Sequence, residues 1–250
     1  MKTRRWTRVA LVAALFVAVA AAGYGQPLTN VYVFGDSRAD VGNVSLATGG
    51  FVPPSPPYFQ GRFSNGPVFV EVAADNLGLW PLGPSLAGGT GHAWGGALSL
   101  LDQGSPSVRS QVLGYLAASG GRADPGGLYV LEGGGNDLSH AMWVFAAAGD
   151  WQGALAFMEE AALGMVGSLQ MLAEAGADHF LVLNAAYASE NAWFCGDPDA
   201  DTLVEHFNTT LEEGLSALDG GLQVVQFDLA AFALGLSEHF IACLLYTSDA

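Results

Sequence analysis

An α/β fold, with a parallel sheet covered by helices on both faces, is predicted by three observations on this 250-residue sequence. Short apolar runs dense in β-branched and aromatic residues recur along it, Val31–Phe34 and Leu128–Leu131 among them. Segments with apolar residues at helical spacing lie between these runs. The strict alternation of the two patterns implies βα units, and hence parallel neighbours in one sheet. The length suits one domain of this class with a sizeable core, and no repeat or linker divides it.

The first strand candidate, Val31–Phe34, breaks at Gly35, and Ser37 follows where a helix is expected to begin. That places a hydroxyl at the C-terminal end of a strand, beside the N–H groups of a helix N-terminus. A plain helix cap is the alternative reading of this serine. The stretch from Gly49 to Pro67 is too rich in Pro and Gly for a helix and reads as a loop over that end of the sheet. Helical spacing covers Val68–Leu77, and a weaker strand lies near Gly91–Trp94. Further on, helices are predicted at Val108–Ala118, Gln152–Ala175, Asp201–Leu218 and Leu229–Leu236. Strands are predicted at Leu128–Leu131, His179–Leu183 and Gln223–Phe227, about five in all with the weaker one. Ligands of open parallel sheets sit outside the carboxyl ends of the strands. Ser37, Gly95 and Asn136 each come just after a strand candidate, so one end of the sheet is expected to gather them.

The two ends of the chain read differently from the middle. Lys2, Arg4, Arg5 and Arg8 precede an apolar run from Val9 to Ala22, with small residues after it. Residues 1–22 are therefore expected to be a secretory signal peptide, cleaved after Ala22 or near Gly25, which implies a secreted or periplasmic protein. The run is short for a membrane anchor, and no later segment is apolar enough to give a stable span. Without residues 1–22 the chain keeps four arginines against 24 acids, a formal charge of −20. Such a field repels nucleic acid and anionic membranes, so neither is an expected partner. Cys195 and Cys243 would meet an oxidising environment after export, but spacing alone does not establish a disulfide. Asn43-Val44-Ser45 and Asn208-Thr209-Thr210 match glycosylation sequons.

The segment from Val33 to Asn43, with Gly35-Asp36-Ser37 at its centre, resembles the first signature block of the GDSL, or SGNH, family of lipases and esterases. The resemblance continues through Pro56–Pro67, Glu71–Leu79, Ala93-Trp94-Gly95-Gly96-Ala97 and Leu128–Leu138, in the family's order, and covers roughly residues 30 to 243. It implies a three-layer α/β/α sandwich of flavodoxin-like SGNH form over residues 28–243. It also implies a serine ester hydrolase acting on a small-molecule ester or lipid, with no metal and no cofactor. Ser37 would be the nucleophile, with its own N–H, the Gly95 N–H and the Asn136 side-chain amide as oxyanion donors. Asp137 is expected to brace the Asn136 loop, and Asp40 and Asn43 to organise the turn after Ser37. Arg38 stands where the family's name places leucine; tolerance is expected there, with a local effect on substrate preference. No Gly-x-Ser-x-Gly surrounds Ser37, so the nucleophile elbow of α/β-hydrolases is not the pattern.

The family carries an Asp-x-x-His block near its C-terminus, where the histidine activates the serine. None of His92, His140, His179, His206 and His239 stands in such a block at the expected place. Asp137-Leu138-Ser139-His140 has the four-residue spacing but follows the Asn136 loop directly, which makes Asp137 and His140 weak candidates. The chain is therefore expected to lack its general base and so to be inactive or weakly active, to be C-terminally incomplete, and to end in a non-native tail at residues 244–250. A surface-anchoring region beyond that end is compatible with this reading. Two alternatives use the same fold, a carbohydrate deacetylase and a non-catalytic secreted binding module.

Overall fold

Side chains alternate across the sheet, and the alternation separates two cores. β1 (Asn30–Phe34), β2 (Gly127–Leu131), β3 (His179–Leu183) and β4 (Gln223–Phe227) pair in parallel in that order. Val33 lies opposite Val130, and Leu131 opposite Val182. Val31, Val33, Leu128, Val130, Leu181 and Leu183 point to one face. Phe34, Tyr129, Leu131, Phe180 and Val182 point to the other. Every residue of β2 and β3 is buried, as expected for strands covered on both sides. The computed structural model describes residues 28–79, 81–186, 194, 197–218 and 221–232. The expected signal peptide (1–22), Cys195, Cys243, His239, the second half of the last predicted helix and the expected tail (244–250) lie outside the described residues.

The helices are α1 (Asn43–Ala47), α2 (Phe69–Asn76), α3 (Val108–Ala118), α4 (Gly135–His140), α5 (Trp151–Glu174) and α6 (Pro198–Ser216). α2 covers the first face with Val70 and Ala74. α3, α5 and α6 cover the second, which completes three layers. α5 buries Ala154, Met158, Ala161, Ala162, Met165, Leu169 and Leu172, a stripe at three- and four-residue spacing. Its first turn is capped by Asp150, whose carboxylate accepts from Gly153 N at 2.9 Å. Asp197 caps α6 in the same way, with Pro198 at the first helical position. Among the described residues no helix is long and apolar enough to cross a membrane.

Two expectations change. The sheet has four strands rather than about five among the described residues, because the segment near Gly91–Trp94 is a ribbon and not a strand. It still runs parallel to the free edge of β1, through His92 N to Val33 O at 2.7 Å and Trp94 N to Gly35 O at 3.0 Å. Its one glycine, Gly91, has no side chain to pack, and the pairing there is limited to isolated bridges with Val33 and Pro84. The spatial order is ribbon, β1, β2, β3, β4. The chain leaves β1 to one side and returns to the other, so the crevice at the carboxyl end of β1 is the topological switch point. The second change concerns Ser37, which starts no helix. Residues 37–39 form a turn, and α1 begins six positions later at Asn43.

Candidate active site at the carboxyl end of the first strand

Ser37 is held by its neighbours rather than by bonds of its own. Gly35, just before it, is clamped by Gln111 of α3, which accepts from Gly35 N and donates to Gly35 O, both at 2.9 Å. Asp36 N donates to Glu132 Oε1 at 2.6 Å, and Arg38 N donates to Asp36 Oδ1 at 2.9 Å. Ser37 itself is half-buried, and neither its N–H nor its hydroxyl forms a hydrogen bond among the described residues. The turn thus fixes a serine whose polar atoms are taken by none of the described residues.

Asp40 joins this turn to the Gly95 loop. Its buried carboxylate accepts from Gly42 N at 2.7 Å, Asn43 N at 2.6 Å and Val44 N at 3.2 Å, the first donors of α1. It also accepts from Gly95 N at 3.0 Å. The Gly95 N–H, expected as an oxyanion donor, is thus directed at this carboxylate, because a buried carboxylate needs partners. Likewise the helix N–H groups expected beside Ser37 are taken by Asp40. Asn43 completes the junction, donating to Gly91 O and Ala93 O and accepting from Leu86 N at 3.1 Å. With both ends of its amide engaged and its side chain buried, Asn43 is no glycosylation site. Asn208 is spent similarly, on Ala185 N and O at 2.9 Å each.

The loop from Gly49 to Pro67 does lie against this end of the sheet. Arg62 holds it through a two-point pair with Glu71 of α2, at 2.6 and 3.2 Å, and the ring of Phe63 packs on the bare Cα of Gly95. A side chain at position 95 would meet that ring.

Asn136 stands in the first turn of α4, which leaves β2 through Gly133-Gly134. Gly134 has φ 96°, and a Cβ there would strike Ala185 and Phe207, so only glycine fits. Asn136 Nδ2 donates one hydrogen to Ala97 O at 2.9 Å, which ties this loop to the Gly95 loop. Asp137 braces the junction as expected: it accepts from Ser99 Oγ at 2.8 Å, Ser99 N at 3.0 Å and Gly134 N at 3.2 Å. Burial raises its pKa to about 6 against the pull of those donors. The loops bearing Ser37, Gly95 and Asn136 are thus bonded to one another at the switch point.

The histidines are elsewhere. His140 bonds Gln103 through Nδ1 at 3.0 Å and stacks on Phe157, while the carboxylate of Asp137 turns to Ser99, so the two weak candidates do not act as a pair. His92 stacks on Phe34 in the second core, where burial lowers its pKa to about 4. His179 is buried at the start of β3, and His206 lies 3.7 Å from Glu159. Among the described residues no histidine bonds the Ser37 hydroxyl, and no cluster of three or more His, Cys, Asp or Glu forms a metal site. Sequence reasoning passed over Glu132 and Gln111, which fix the Ser37 turn. Glu132 had a visible signal, a lone acid closing an otherwise apolar strand.

The family model described as "GDSL-like Lipase/Acylhydrolase" matches residues 31–248. "Lipase 1" of Photorhabdus luminescens is 34% identical over 136 residues, 51% of this chain and 18% of that protein. "Phosphatidylcholine-sterol acyltransferase" of Aeromonas hydrophila is 40% identical over 68 residues, 27% of this chain and 20% of that protein. An uncharacterized protein from the trpE-trpG intergenic region of Pseudomonas putida is 28% identical over 243 residues, 86% of this chain and 38% of that protein. The chain thus aligns with well under half the length of each of these relatives.

Proposed function

Because the chain belongs to the GDSL-like lipase/acylhydrolase family, we propose that it hydrolyses carboxylic esters through an acyl-enzyme at Ser37. The observation that carries the reading is the state of Ser37: locked on both sides, without a hydrogen bond at its own N–H or hydroxyl among the described residues, and set at the switch point of the sheet beside the Asn136 loop. Ser37 Oγ attacks the ester carbonyl carbon and gives its proton to a base. The negative charge on the former carbonyl oxygen is met by Ser37 N–H and the second hydrogen of Asn136 Nδ2, each donor contributing about 3–4 kcal/mol. Collapse expels the alcohol, and water then cleaves the acyl-serine to release the acid.

The base is none of the four described histidines as they are placed. His92 is too weak a base at neutral pH, and the other three are committed to distant partners or strands. The reading therefore assigns the base to a residue outside the described ones. Lipid acyl esters are the proposed substrate class, in keeping with the lipase and acyltransferase relatives, and a leader at residues 1–22 would export the protein. An acetylated carbohydrate would be cut by the same apparatus, and a panel of esters separates the two.

The test is a fluorophosphonate probe with mass-spectrometric mapping, run beside hydrolysis of p-nitrophenyl esters by the full chain. Labelling at Ser37 and loss of both signals in Ser37→Ala are expected. Labelling at another residue, or unchanged hydrolysis in Ser37→Ala, rejects the assignment.

A further inference from the structure

We propose that Glu132 is a positioning residue for Ser37, holding the nucleophile turn through the Asp36 amide and the Arg38 guanidinium. This rests on the reading of Ser37 as nucleophile. Glu132 follows β2 directly and is 1% exposed, an isolated acid on an apolar strand end. Burying such a group is costly, so its contacts are informative. Oε1 accepts from Asp36 N at 2.6 Å, one residue before Ser37. Oε2 lies 3.6 Å from Arg38 Nε, one residue after it, and Arg38 Nη2 lies 3.6 Å from Asp36 Oδ2. The side chain therefore reaches across from β2 and meets the turn on both sides of the serine.

Two features show that the space was shaped for it. A Cβ on Gly35 would collide with the Glu132 carboxyl and its Cγ, so glycine at 35 gives the acid its place. The Arg38 guanidinium rests against Gly135, beside Asn136, so the same cluster spans the gap between the two loops that carry the proposed donors. Burial and the neighbouring Asp36 charge push the Glu132 carboxyl upward, against the pull of Arg38. A glutamine reproduces its shape and its acceptor for Asp36 N. Aspartate, one methylene shorter, withdraws the acceptor while keeping the acid. Misplacing a reacting group by about 1 Å costs on the order of 100-fold in rate.

The experiment compares wild type, Glu132→Gln, Glu132→Asp and Glu132→Leu as full chains. It reads the rate of fluorophosphonate labelling at Ser37, kcat and KM for a p-nitrophenyl ester, and amide exchange of the peptide spanning Gly35 to Asp40, with urea stability measured alongside. Glu132→Gln is expected to stay within about twofold of wild type in every reading. Glu132→Asp is expected to lose at least about tenfold in labelling rate and kcat, with KM within about twofold and faster exchange confined to the Ser37 turn. Glu132→Leu should behave likewise; if it fails to fold, Glu132→Asp carries the comparison. Wild-type labelling at Ser37 that is unchanged in Glu132→Asp overturns the positioning role alone. Wild-type labelling at a residue other than Ser37 overturns the nucleophile reading and the positioning role with it.

Discussion

Asp40 Oδ2 accepts the backbone N–H of Gly95 at 3.0 Å, across 55 positions of sequence. The same carboxylate receives the N–H groups of Gly42, just before α1, and of Asn43 and Val44, its first two residues, so one buried side chain aligns the turn after Ser37 with the loop that flanks it. Removing it leaves four buried N–H groups without an acceptor. Asp40→Ala is expected to lower unfolding stability by at least about 2–3 kcal/mol. Asp40→Asn keeps one oxygen and is expected to lose less. Urea unfolding of the three proteins checks this, and a loss below about 0.5 kcal/mol in Asp40→Ala contradicts it.

Asn136 has both a structural bond and a proposed catalytic one, and the two separate by magnitude. Its bond to Ala97 O is worth about 1 kcal/mol of stability. Its second amide hydrogen, if aimed at the oxyanion, acts only in the transition state. Asn136→Ala is therefore expected to lower kcat by about 10²–10³ with little change in KM. Steady-state kinetics decide it; equal loss in KM and none in kcat would place Asn136 in substrate binding instead.

Glu132 sets the sign of the pH dependence above neutrality. Its folded pKa is raised to about 8 from an ordinary 4.5, so the native state holds a proton that the unfolded chain has released. Stability must then fall as pH rises toward 8, and level off beyond it. Above about pH 7.5 the other shifted groups, Asp137 and His92, hold nearly the same charge in both states, which leaves Glu132 as the main shifted group titrating there among the described residues. The expected slope is at most about 1.4 kcal/mol per pH unit. Glu132→Gln should flatten it. A parallel slope in the variant assigns the titration elsewhere.

His92 acts in the opposite direction on the acid side. Its imidazole is kept neutral against Phe34 and Tyr115 with a pKa near 4, whereas in the unfolded chain it protonates near 6.5. The unfolded state therefore takes up a proton first as pH falls, and His92 costs stability progressively from about pH 6.5 down to about 4. His92→Phe preserves the stack and removes the titration. Thermal unfolding of the two proteins at pH 7 and pH 5 should show the variant gaining on wild type at the lower pH.

The sequence by itself determined the fold class, the four strands and, to within about three residues, α2, α3, α5 and α6, whereas the short helices α1 and α4 carried too few residues to show a period. β3 and β4 match their predicted spans, as does α3. Periodicity and apolar runs are local signals, and strands buried on both faces carry them at full strength. The signature around Ser37 and the Gly-rich exit toward Asn136 were legible for the same reason: each is a continuous run of residues. What only the tertiary structure decided is how those runs are joined. Asp40 reaching Gly95, Asn136 reaching Ala97, and Glu132 reaching Asp36 and Arg38 span 39 to 96 positions. A single buried carboxylate distributes its lone pairs by distance and direction, quantities that no sequence spacing contains. Tertiary packing also kept Ser37 from starting a helix, because Asp36 and Arg38 are held by Glu132 and the first helical donors belong to Asp40. It left Gly91–Trp94 as a ribbon on the edge of β1, where Gly91 forms isolated bridges to Val33 and Pro84 and no continuous ladder follows.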